Sequence, residues 1–470
     1  MKRQNLWLWL AMPAFILLAA PSYWFYLDRL GRTLLETHNE GWVAYFADRA
    51  ISGPVLYPQQ PSLILNNYPP LSFYLIGGLG RLLGNTILAG RILSLVALAV
   101  LAMCLALLVR PRDRSMAPGL FAGVFFLAFF AVYPGGRIGL NDPELLAHAI
   151  MAVALVVLNR FGATLPGAIA AAGVMALAGL TKHNLIAIPL GVLLWAALSG
   201  WIVLRRWLVA MLIAGISAAV LLWLVWGPAL FASLLVPREL SLMQGITDTR
   251  HWLDLASLPL FIVVAAWIGR RWDIADRLPF IVVAMGVAEI VLFSAGIGVN
   301  SNIAYDLVFA LSWALGMICA RAESGRVSLV VAGGLVLHLL LAMPMEPLRV
   351  MAGMAPAKST EERGIVSDLG WLRQHPGRTI CMDLALCYYA GRDFEYDRFN
   401  LGQLFSLGRR DPKPLFDAIA AQTYAVIELD QEVVQRSRSG YPANLLRVIQ
   451  DNYTNGRETA DRVFLLPKPR

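Results

Sequence analysis

Long apolar segments separated by short polar turns occupy the first 345 residues of the chain. Many of these segments approach or exceed the roughly 18 residues that mark a membrane-spanning helix. The pattern predicts eleven spans: 6–27, 91–109, 117–133, 144–159, 164–180, 185–201, 207–227, 255–269, 278–295, 303–320 and 327–343. Residues 28–90, between the first two spans, form a loop that is much less apolar.

The turns between the predicted spans alternate in charge. One set is basic: Lys2 and Arg3; Arg110, Arg112 and Arg114; Arg160; Arg205 and Arg206; Arg270, Arg271 and Arg277; Arg321 and Arg326. Because basic residues collect in cytoplasmic turns, we expect the N-terminus inside and the C-terminal region outside. A cleaved signal peptide is the alternative for the first segment; the length of this segment and its terminal tryptophans favour an anchored span.

The composition changes near residues 346–360, where apolar spans stop and charged residues become frequent. We therefore expect a transmembrane domain over 1–345, a linker over 346–360 and an outer domain over 361–470. Within the outer domain the pattern predicts helices at 361–374, 411–421 and 442–452, and strands at 379–383, 424–430 and 462–467. Alternating strands and helices favour a small α/β unit with a partly parallel sheet.

The composition supports the membrane class. The chain is 58% hydrophobic and only 15% charged, where a soluble protein carries about 25% charged residues. The fold class that we predict is an all-α polytopic membrane domain, with interfacial helices, followed by the α/β domain. The net charge of +8 reflects the basic turns and so gives no reason to expect a nucleic-acid partner.

The four cysteines separate into two pairs. Cys104 and Cys319 lie in predicted spans, where a thiol usually packs as a small hydrophobe. Cys381 and Cys387 lie in the outer domain, where an oxidising compartment permits a disulfide. A disulfide and two separate core cysteines stay open as interpretations of this second pair.

The first outer loop holds the most informative polar residue. Glu40 follows Asn39 and precedes an aromatic-rich stretch, 42–50, whose three- and four-residue spacing fits a helix in the membrane interface. Tyr68 then begins a Tyr-Pro-Pro corner before a second interfacial helix. A carboxylate held at headgroup depth is costly unless it serves a purpose, although Glu40 could also simply stabilise the N-terminus of its helix.

Further polar residues fall in the remaining outer turns. They are Arg137, Asn141, Asp142 and Glu144; Lys182, His183 and Asn184; Arg238, Glu239, Asp248, Arg250, His251 and Asp254; Asn300, Asn302, Tyr305 and Asp306. Structural roles are open for these residues too: Asp142 precedes Pro143 as a helix cap would, and Lys182 could extend to the interface. Their convergence on one face of one domain favours function.

The order of these features resembles a known family. An N-terminal span is followed by the acidic outer loop, a YPPL corner, a G…AGR entry to the second span, a second acidic turn and a TK turn. In the order of these motifs, and in the side of the membrane that they are predicted to face, residues 1–345 resemble the GT-C membrane glycosyltransferases. The resemblance is to the glycosyltransferase family 39-like branch, which contains the protein O-mannosyltransferases and the lipid A aminoarabinose transferase.

The resemblance implies transfer of a sugar from a polyprenyl-phosphate donor to a cell-envelope glycan, lipid or protein at the outer face of the inner membrane. Glu40 and Asp142 match the acidic positions of the family's first and second loops. Relatives often have Asp-Glu where this chain has Asn39 and Glu40. Because one carboxylate is missing, we expect no metal or other cofactor.

The chemistry of such a transfer assigns roles. We expect Glu40 to be the base for the acceptor hydroxyl, with Asp142 as the second catalytic carboxylate and inversion by a single displacement. Fixed cations should stabilise the departing phosphate; the candidates are Arg137, Lys182, Arg250 and Arg91. Candidate substrate-binding residues are Asn39, Tyr68, His183, Asn302 and Asp306.

Two other classes of function stay open. A transporter or flippase of a lipid-linked saccharide would also place charges in a membrane domain, but it should show paired halves and charges within its spans. A non-catalytic assembly protein would use the outer domain for docking. The predicted charges lie at the outer turns, which favours the enzyme.

Overall fold

The computed structural model describes residues 3–53, 55–59, 61–109, 115–162, 164–431 and 444–469. Most of this chain is helical. Four of the residues used above for orientation, Lys2, Arg110, Arg112 and Arg114, lie outside the described residues.

The first three quarters of the chain form a bundle of apolar helices. These are α1 (Arg3–Leu27), α2 (His38–Ser52), α3 (Leu71–Leu83), α4 (Thr86–Leu108), α5 (Ala117–Val132), α6 (Glu144–Phe161), α7 (Leu165–Thr181), α8 (Ala187–Leu198), α9 (Trp201–Leu234), α10 (Leu242–Leu255), α11 (Ser257–Gly269), α12 (Leu278–Phe293), α13 (Tyr305–Ala320), α14 (Gly325–Leu341) and α15 (Met345–Met351). Each of the eleven predicted spans overlaps one of these helices.

The lengths of these helices differ more than the sequence pattern indicates. Among the described residues, five helices are long and apolar enough to cross a membrane, or up to seven if two bent helix pairs each count as one span. Helix α8, for example, has 12 residues and is therefore about 18 Å long. Since a hydrocarbon core is about 30 Å thick, the predicted span 185–201 does not correspond to one full-length helix.

Helices α2 and α3 form in the first outer loop where two interfacial helices were predicted, but α2 is packed within the protein. Trp42 and Phe46 are almost fully buried, and the Trp42 ring lies 4.7 Å from the Tyr68 ring, centroid to centroid. The aromatic side chains of α2 therefore face α3 and the C-terminal unit. The spacing predicted the helix correctly, while its apolar face contacts protein because the C-terminal unit covers it.

Among its described residues the C-terminal unit contains five helices and one sheet. Its helices are α16 (Lys358–Gln374), α17 (Leu384–Tyr389), α18 (Arg398–Ser406), α19 (Lys413–Ala420) and α20 (Leu445–Asn452), and its strands are β1 (Thr379–Cys381), β2 (Val426–Asp430), β3 (Tyr453–Glu458) and β4 (Arg462–Pro467). The strand order is β1-β2-β4-β3. Strands β1 and β2 are parallel, whereas β4 is antiparallel to both of its neighbours, so the prediction of a partly parallel sheet is confirmed.

Three elements that the structure describes in this unit were not predicted from the sequence. Helices α17 and α18 are short. Strand β3 has no alternating apolar pattern, because Tyr453 is its one buried residue. The predicted helix 442–452 corresponds to α20, and its first two residues lie outside the described residues. Short elements with weak periodicity are decided by their packing partners rather than by their own sequence.

The cysteines have two different environments. Cys381 and Cys387 form a disulfide between the end of β1 and α17, which resolves the two interpretations left open above. Cys104 and Cys319 are free and buried in α4 and α13.

The C-terminal unit packs closely on α2. A Cβ atom at Gly41 would lie 2.2 Å from the backbone nitrogen of Ala385, so only glycine permits this approach of two backbones. The His38 ring lies 2.9 Å from the carbonyl of Met382, and the Tyr388 hydroxyl donates to Asp48. These contacts place the N-terminal end of α2 between the helix bundle and the C-terminal unit.

Candidate active site

Glu40 lies at the first turn of α2, where it forms a buried ion pair with Arg91 of α4. Its side chain is 0% exposed. Its two oxygens accept from Nε and Nη2 of Arg91, at 2.8 and 2.7 Å. The backbone nitrogen of Asn141 also donates to Glu40, at 2.9 Å, and the Asn141 side-chain amide donates to the Glu40 carbonyl. Glu40 thus fixes the backbone immediately before Asp142.

The guanidinium nitrogens of Arg91 all donate to groups within the protein. Its guanidinium donates to the carbonyls of Arg29, Arg32 and Leu34 as well as to Glu40. Neither Arg91 nor Glu40 is among the residues that line the two cavities around Asn39. This corrects the expected location of both residues, because a fully paired and buried carboxylate has no face left for an acceptor. The base role of Glu40 stays a prediction that its surroundings do not favour.

A cavity of about 370 Å³ lies at the end of the helix bundle near Asp142. It is formed by the turns after α5, α7 and α12, the turns before α6 and α13, and the loop after α9. Its polar lining residues are Asn39, Tyr68, Arg137, Asp142, Lys182, His183, Asn184, Arg238, Glu289, Asn300 and Asn302. Its apolar lining residues are Ile186, Leu240, Leu292, Phe293, Val299 and Ile303. We call this the inner cavity.

Lys182, directly after α7, supplies a buried positive charge to the inner cavity. Its ammonium lies 3.2 Å from an oxygen of Glu144, 4.0 Å from Asp142 and 3.5 Å from the centre of the Tyr68 ring. Burial lowers the pKa of Lys182, but Tyr68, Glu144 and Asp142 outweigh burial and raise it above the ordinary value. The side chain is therefore a fixed cation at physiological pH.

Asp142 lies directly before Pro143 and α6, and it is the carboxylate of the inner cavity that lies close to Lys182. One of its oxygens accepts from the backbone nitrogen of Glu144 at 3.0 Å. Burial raises the pKa of Asp142, but the charges of Lys182 and Arg137 and the hydrogen bond from Asn39 hold it below its usual range. Asp142 is ionised at neutral pH and, unlike Glu40, keeps part of its side chain exposed, at 15%.

A buried acidic group supports the wall of the inner cavity. Glu144 accepts from the side-chain amides of Asn302, at 2.8 Å, and Asn184, at 3.3 Å. Deeper in the bundle, His148 lies 3.1 Å from Asp306. Asp306 is 2% exposed and does not line the cavity, so the structure does not bring it to the substrate-binding position that the sequence predicted.

Arg238 is held over the inner cavity by a short backbone pairing. Leu240 pairs with Gly296 in an isolated antiparallel bridge, and the Ile297 nitrogen donates to the Glu239 carbonyl at 2.8 Å. The bridge fixes the loop after α9 against the turn after α12. Arg238 and Leu240 therefore face the same cavity as Lys182.

A second cavity, of about 320 Å³, lies between the first outer loop and α18. It shares Asn39, Tyr68, Arg137, Arg238, Gly298 and Asn300 with the inner cavity. Its other lining residues are Thr37, His38, Trp42, Asn67, Asp397, Arg398, Phe399 and Asn400. We call this the outer cavity; the two cavities adjoin and differ in which unit closes them.

The structure brings most of the predicted site residues together. Those that line the inner cavity are Asn39, Tyr68, Arg137, Asp142, Lys182, His183 and Asn302. Arg250 is not among them: it lies on α10, its side chain is 82% exposed, and it pairs with Asp254 one turn later. The position of Arg250 therefore does not support the prediction that it binds phosphate. Its place in an outer loop of the sequence did not specify whether its side chain would reach the cavity.

Two charged residues of the inner cavity were not selected as site residues from the sequence. Arg238 was one of several charged residues in a long loop, with no local signal to separate it from Arg250. Glu289 lies inside the predicted span 278–295, and an ionisable residue within a span is itself a signal for function. This second residue was therefore detectable.

The described residues contain no group of three or more His, Cys, Asp or Glu side chains arranged to hold a metal ion. The expectation of a reaction without a metal or other cofactor stays a prediction.

Comparisons with known proteins agree with the fold. No protein-family model matches the sequence, and no curated protein matches it. The structure is similar to that of ArnT from Cupriavidus metallidurans in the apo state, with a TM-score of 0.58 and 14% identity, covering 92% of this chain and 94% of ArnT. It is also similar to the same protein bound to undecaprenyl phosphate, with a TM-score of 0.61 and 14% identity, covering 97% and 98%.

These likenesses show the fold. The chain has a GT-C-like fold over nearly its whole length, whereas the resemblance in the sequence implied it for residues 1–345. Together with the apolar helices, this identifies a multi-pass membrane protein with a small C-terminal α/β unit.

Proposed function

We propose that this protein is a membrane glycosyltransferase that moves a sugar from a polyprenyl-phosphate carrier to a hydroxyl of a cell-envelope acceptor. The reaction takes place at the outer face of the cytoplasmic membrane, on the side that carries the C-terminal unit. A solved structure of similar fold, ArnT, is bound to undecaprenyl phosphate, and a carrier of this chemistry suits the inner cavity.

The observation that carries the proposal is the composition of the inner cavity. Lys182, Arg137 and Arg238 converge on a space that also has apolar walls, among them Leu292 and Phe293. A phosphate attached to a long apolar chain needs both kinds of surface, because its charge must be compensated and its tail must leave water. The charged end also holds a partly exposed carboxylate, that of Asp142.

The reaction is a single displacement at the anomeric carbon. The acceptor oxygen forms the new bond to this carbon while the bond to the phosphate oxygen breaks, and the bonding electrons leave with the phosphate. Lys182, Arg137 and Arg238 stabilise the charge that develops there. Asp142 takes the hydroxyl proton as the new bond forms, and attack opposite to the leaving phosphate inverts the sugar carbon.

Glu40 acts through Asp142 in this mechanism. The hydrogen bond from the Asn141 nitrogen to Glu40 fixes the peptide before Asp142, and the ion pair with Arg91 fixes Glu40. We therefore assign Glu40 as a positioning residue. In this mechanism Asp142 is the base, a role that the sequence analysis had assigned to Glu40.

Two variants test the proposal separately for binding and for chemistry. Lys182→Met should weaken binding of undecaprenyl phosphate to the protein in lipid nanodiscs by about tenfold or more, since a hydrogen bond to a charged group contributes roughly 1.5–3 kcal/mol. Asp142→Asn should bind the lipid as the wild type does. It should nevertheless lower modification of the envelope acceptor, measured by mass spectrometry of cell-envelope glycans, by about a hundredfold or more.

The control is Arg409→Met, which removes a positive charge from an exposed residue of the C-terminal unit and should change neither measurement. Unchanged lipid binding in Lys182→Met would remove the basis of the proposal. Full modification in Asp142→Asn would exclude Asp142 as the base, and identical envelope glycans with and without the protein would exclude a transferase.

A further inference from the structure

A separate cavity, of about 300 Å³, lies near the C-terminal end of α2, about 15 Å along that helix from Asn39. It is lined by residues from α2, the first outer loop, α3 and α9: Arg49, Ala50, Gly53, Val55, Leu56, Tyr57, Tyr74, Val225 and Trp226. None of these residues lines the inner or the outer cavity. We call this space the lateral cavity, and a ligand in it would not overlap with the substrates.

Arg49 gives the lateral cavity its charge, because the other residues that line it are neutral. Its guanidinium carbon lies 5.9 Å from the centre of the Phe46 ring. Among the described residues its side chain has no hydrogen bond and no ion pair, and Asp393 is the acidic side chain whose charge acts on it from further away. A basic residue in the last turn of a helix also stabilises the helix terminus, but that role leaves the N–H donors of the guanidinium available to an anion.

Aromatic and aliphatic side chains form the rest of the wall. The ring of Trp226 lies 6.1 Å from the ring of Tyr57 and 6.3 Å from the ring of Tyr74, centroid to centroid. Tyr74 and Val225 are also exposed, so the wall continues onto the apolar outer surface of α9. Tryptophan and tyrosine are enriched where a membrane meets water, and a wall of this composition suits the boundary between a lipid headgroup and its acyl chains.

The position of the lateral cavity along α9 matches the level of lipid headgroups. Helix α9 is long and apolar enough to cross a membrane, and Arg205 and Arg206 near its start are predicted to lie at the cytoplasmic interface. At a rise of about 1.5 Å per residue, Val225 lies about 29 Å further along the helix. Since the hydrocarbon core is about 30 Å thick, this spacing puts the lateral cavity beside the phosphate groups of the opposite leaflet.

We infer that the lateral cavity binds the phosphate group of an anionic glycerophospholipid from the outer leaflet. The guanidinium of Arg49 donates charge-assisted hydrogen bonds to the phosphate oxygens, and the acyl chains lie along the exposed face of α9. A net negative headgroup is favoured over a zwitterionic one, because no acidic residue lines the cavity to pair with an ammonium group. This lipid is neither the donor nor the acceptor of the proposed reaction, and it fixes the end of α2 at the membrane surface.

Two substitutions remove the site in different ways. Arg49→Met removes the charge and keeps an apolar side chain of similar reach. Val55→Trp fills the cavity from an exposed loop residue and leaves Arg49 in place, so its effect does not depend on how Arg49 contributes to folding. The matched control is Arg81→Met, which removes the same charge from an exposed residue in the last turn of α3 that does not line the cavity.

The experiment measures lipid binding to the full-length protein in detergent micelles by native mass spectrometry. The probes are dioleoyl phosphatidylglycerol, dioleoyl phosphatidylethanolamine and soluble glycerol 3-phosphate. We expect the wild type to bind phosphatidylglycerol most tightly. The affinity should fall about tenfold in Arg49→Met, as expected for a lost hydrogen bond to a charged group, and at least as far in Val55→Trp, whereas Arg81→Met should bind like the wild type.

Binding of phosphatidylglycerol that Arg49→Met and Val55→Trp leave unchanged would overturn the inference. An equal loss in Arg81→Met would do the same, because it would assign the binding to a general attraction between basic residues and anionic lipid. Equal affinity for phosphatidylethanolamine would contradict the anionic headgroup, and equal affinity for glycerol 3-phosphate would contradict a lipid ligand. Displacement of phosphatidylglycerol by undecaprenyl phosphate would give the cavity to the carrier, and none of these results depends on transferase activity.

Discussion

At the scale of single residues, two acidic side chains of adjacent loops have different environments. Asp142 is partly exposed at a cavity, whereas Glu40 is buried in an ion pair with Arg91. Removing one partner of a buried ion pair leaves an uncompensated charge, which costs roughly 3–5 kcal/mol, while replacing both partners by apolar residues is often neutral. The burial of this ion pair therefore predicts that substitution of Glu40 lowers the free energy of unfolding.

A double-mutant cycle tests this difference. Glu40→Gln should lower the melting temperature of the purified protein strongly, because Arg91 keeps its charge in a buried site. Combining it with Arg91→Met should recover part of the loss, giving a coupling energy that two independent sites would not show. If Glu40→Gln folded with wild-type stability, the ion pair would not have the structural role that its burial predicts.

At the scale of elements, the position of α2 decides how the two units meet. The helix is amphipathic, and its sequence alone is compatible with a bilayer surface. Instead Gly41 contacts the backbone at Leu384 and Ala385, so that one end of α2 lies against α17. The disulfide between Cys381 and Cys387 encloses the same segment and restricts the conformations that it can adopt.

Gly41→Ala should prevent this close approach. The added Cβ would lie 2.2 Å from the Ala385 nitrogen, so we expect a lower melting temperature and easier proteolysis of the C-terminal unit. Gly78→Ala on α3 is the matched control, since nothing lies within 4 Å of the added atom, and alanine favours a helix by about 1 kcal/mol over glycine. Equal stability of the two variants would contradict the docking contact.

The sheet of the C-terminal unit contains a carboxyl group that makes its stability depend on pH. Burial, with the nearby charges of Asp430 and Asp383, raises the pKa of Glu428 on β2 to about 8. The folded state then binds a proton that the unfolded state has released between the ordinary glutamate pKa, 4.5, and 8. Stability is therefore present at low pH and is lost as the pH rises through this range.

Glu428→Gln should remove this loss, because the amide resembles the protonated acid. We expect the melting temperature of the variant, relative to the wild type, to increase from pH 5.5 to pH 8.5 in a thermal unfolding series. A constant difference between the two proteins over this range would show that Glu428 does not titrate within it.

At the scale of the whole molecule, the arrangement predicts which parts share one side of the membrane. The inner cavity lies at the ends of α5, α7 and α12, while the basic turn after α13 lies at the opposite end, where Arg321 pairs with Asp276. The C-terminal unit packs at the cavity end. The distribution of basic residues predicts that the cavity end faces outward.

Cysteine labelling tests this orientation. Lys413→Cys, exposed on α19, should react with a membrane-impermeant maleimide in intact spheroplasts, and Ser324→Cys, exposed before α14, should react only in inverted vesicles. The background is low because the native cysteines are buried or in a disulfide. The reverse pattern would place the cavity in the cytosol and exclude an outer-face acceptor.

Much of the candidate site was predictable because polar residues in a membrane protein are rare. Lys182, Asp142 and Arg137 stand at turns between apolar spans, where few other groups compete for a role. Arg238 and Arg250 show the limit of this argument. Both are arginines of the predicted outer loop 228–254, and only the backbone bridge between Leu240 and Gly296 places Arg238 at the cavity.

The sequence by itself determined the helix pattern, the α/β character of the C-terminal unit and the turns that carry the polar residues, because hydrophobic periodicity and charge are local properties of the chain. The tertiary structure alone decided which carboxylate is buried in an ion pair and which faces a cavity. It also decided that α2 packs against the C-terminal unit and that His38 borders a second cavity. These facts depend on contacts between residues that are distant in the chain, and neither spacing nor composition encodes such distances.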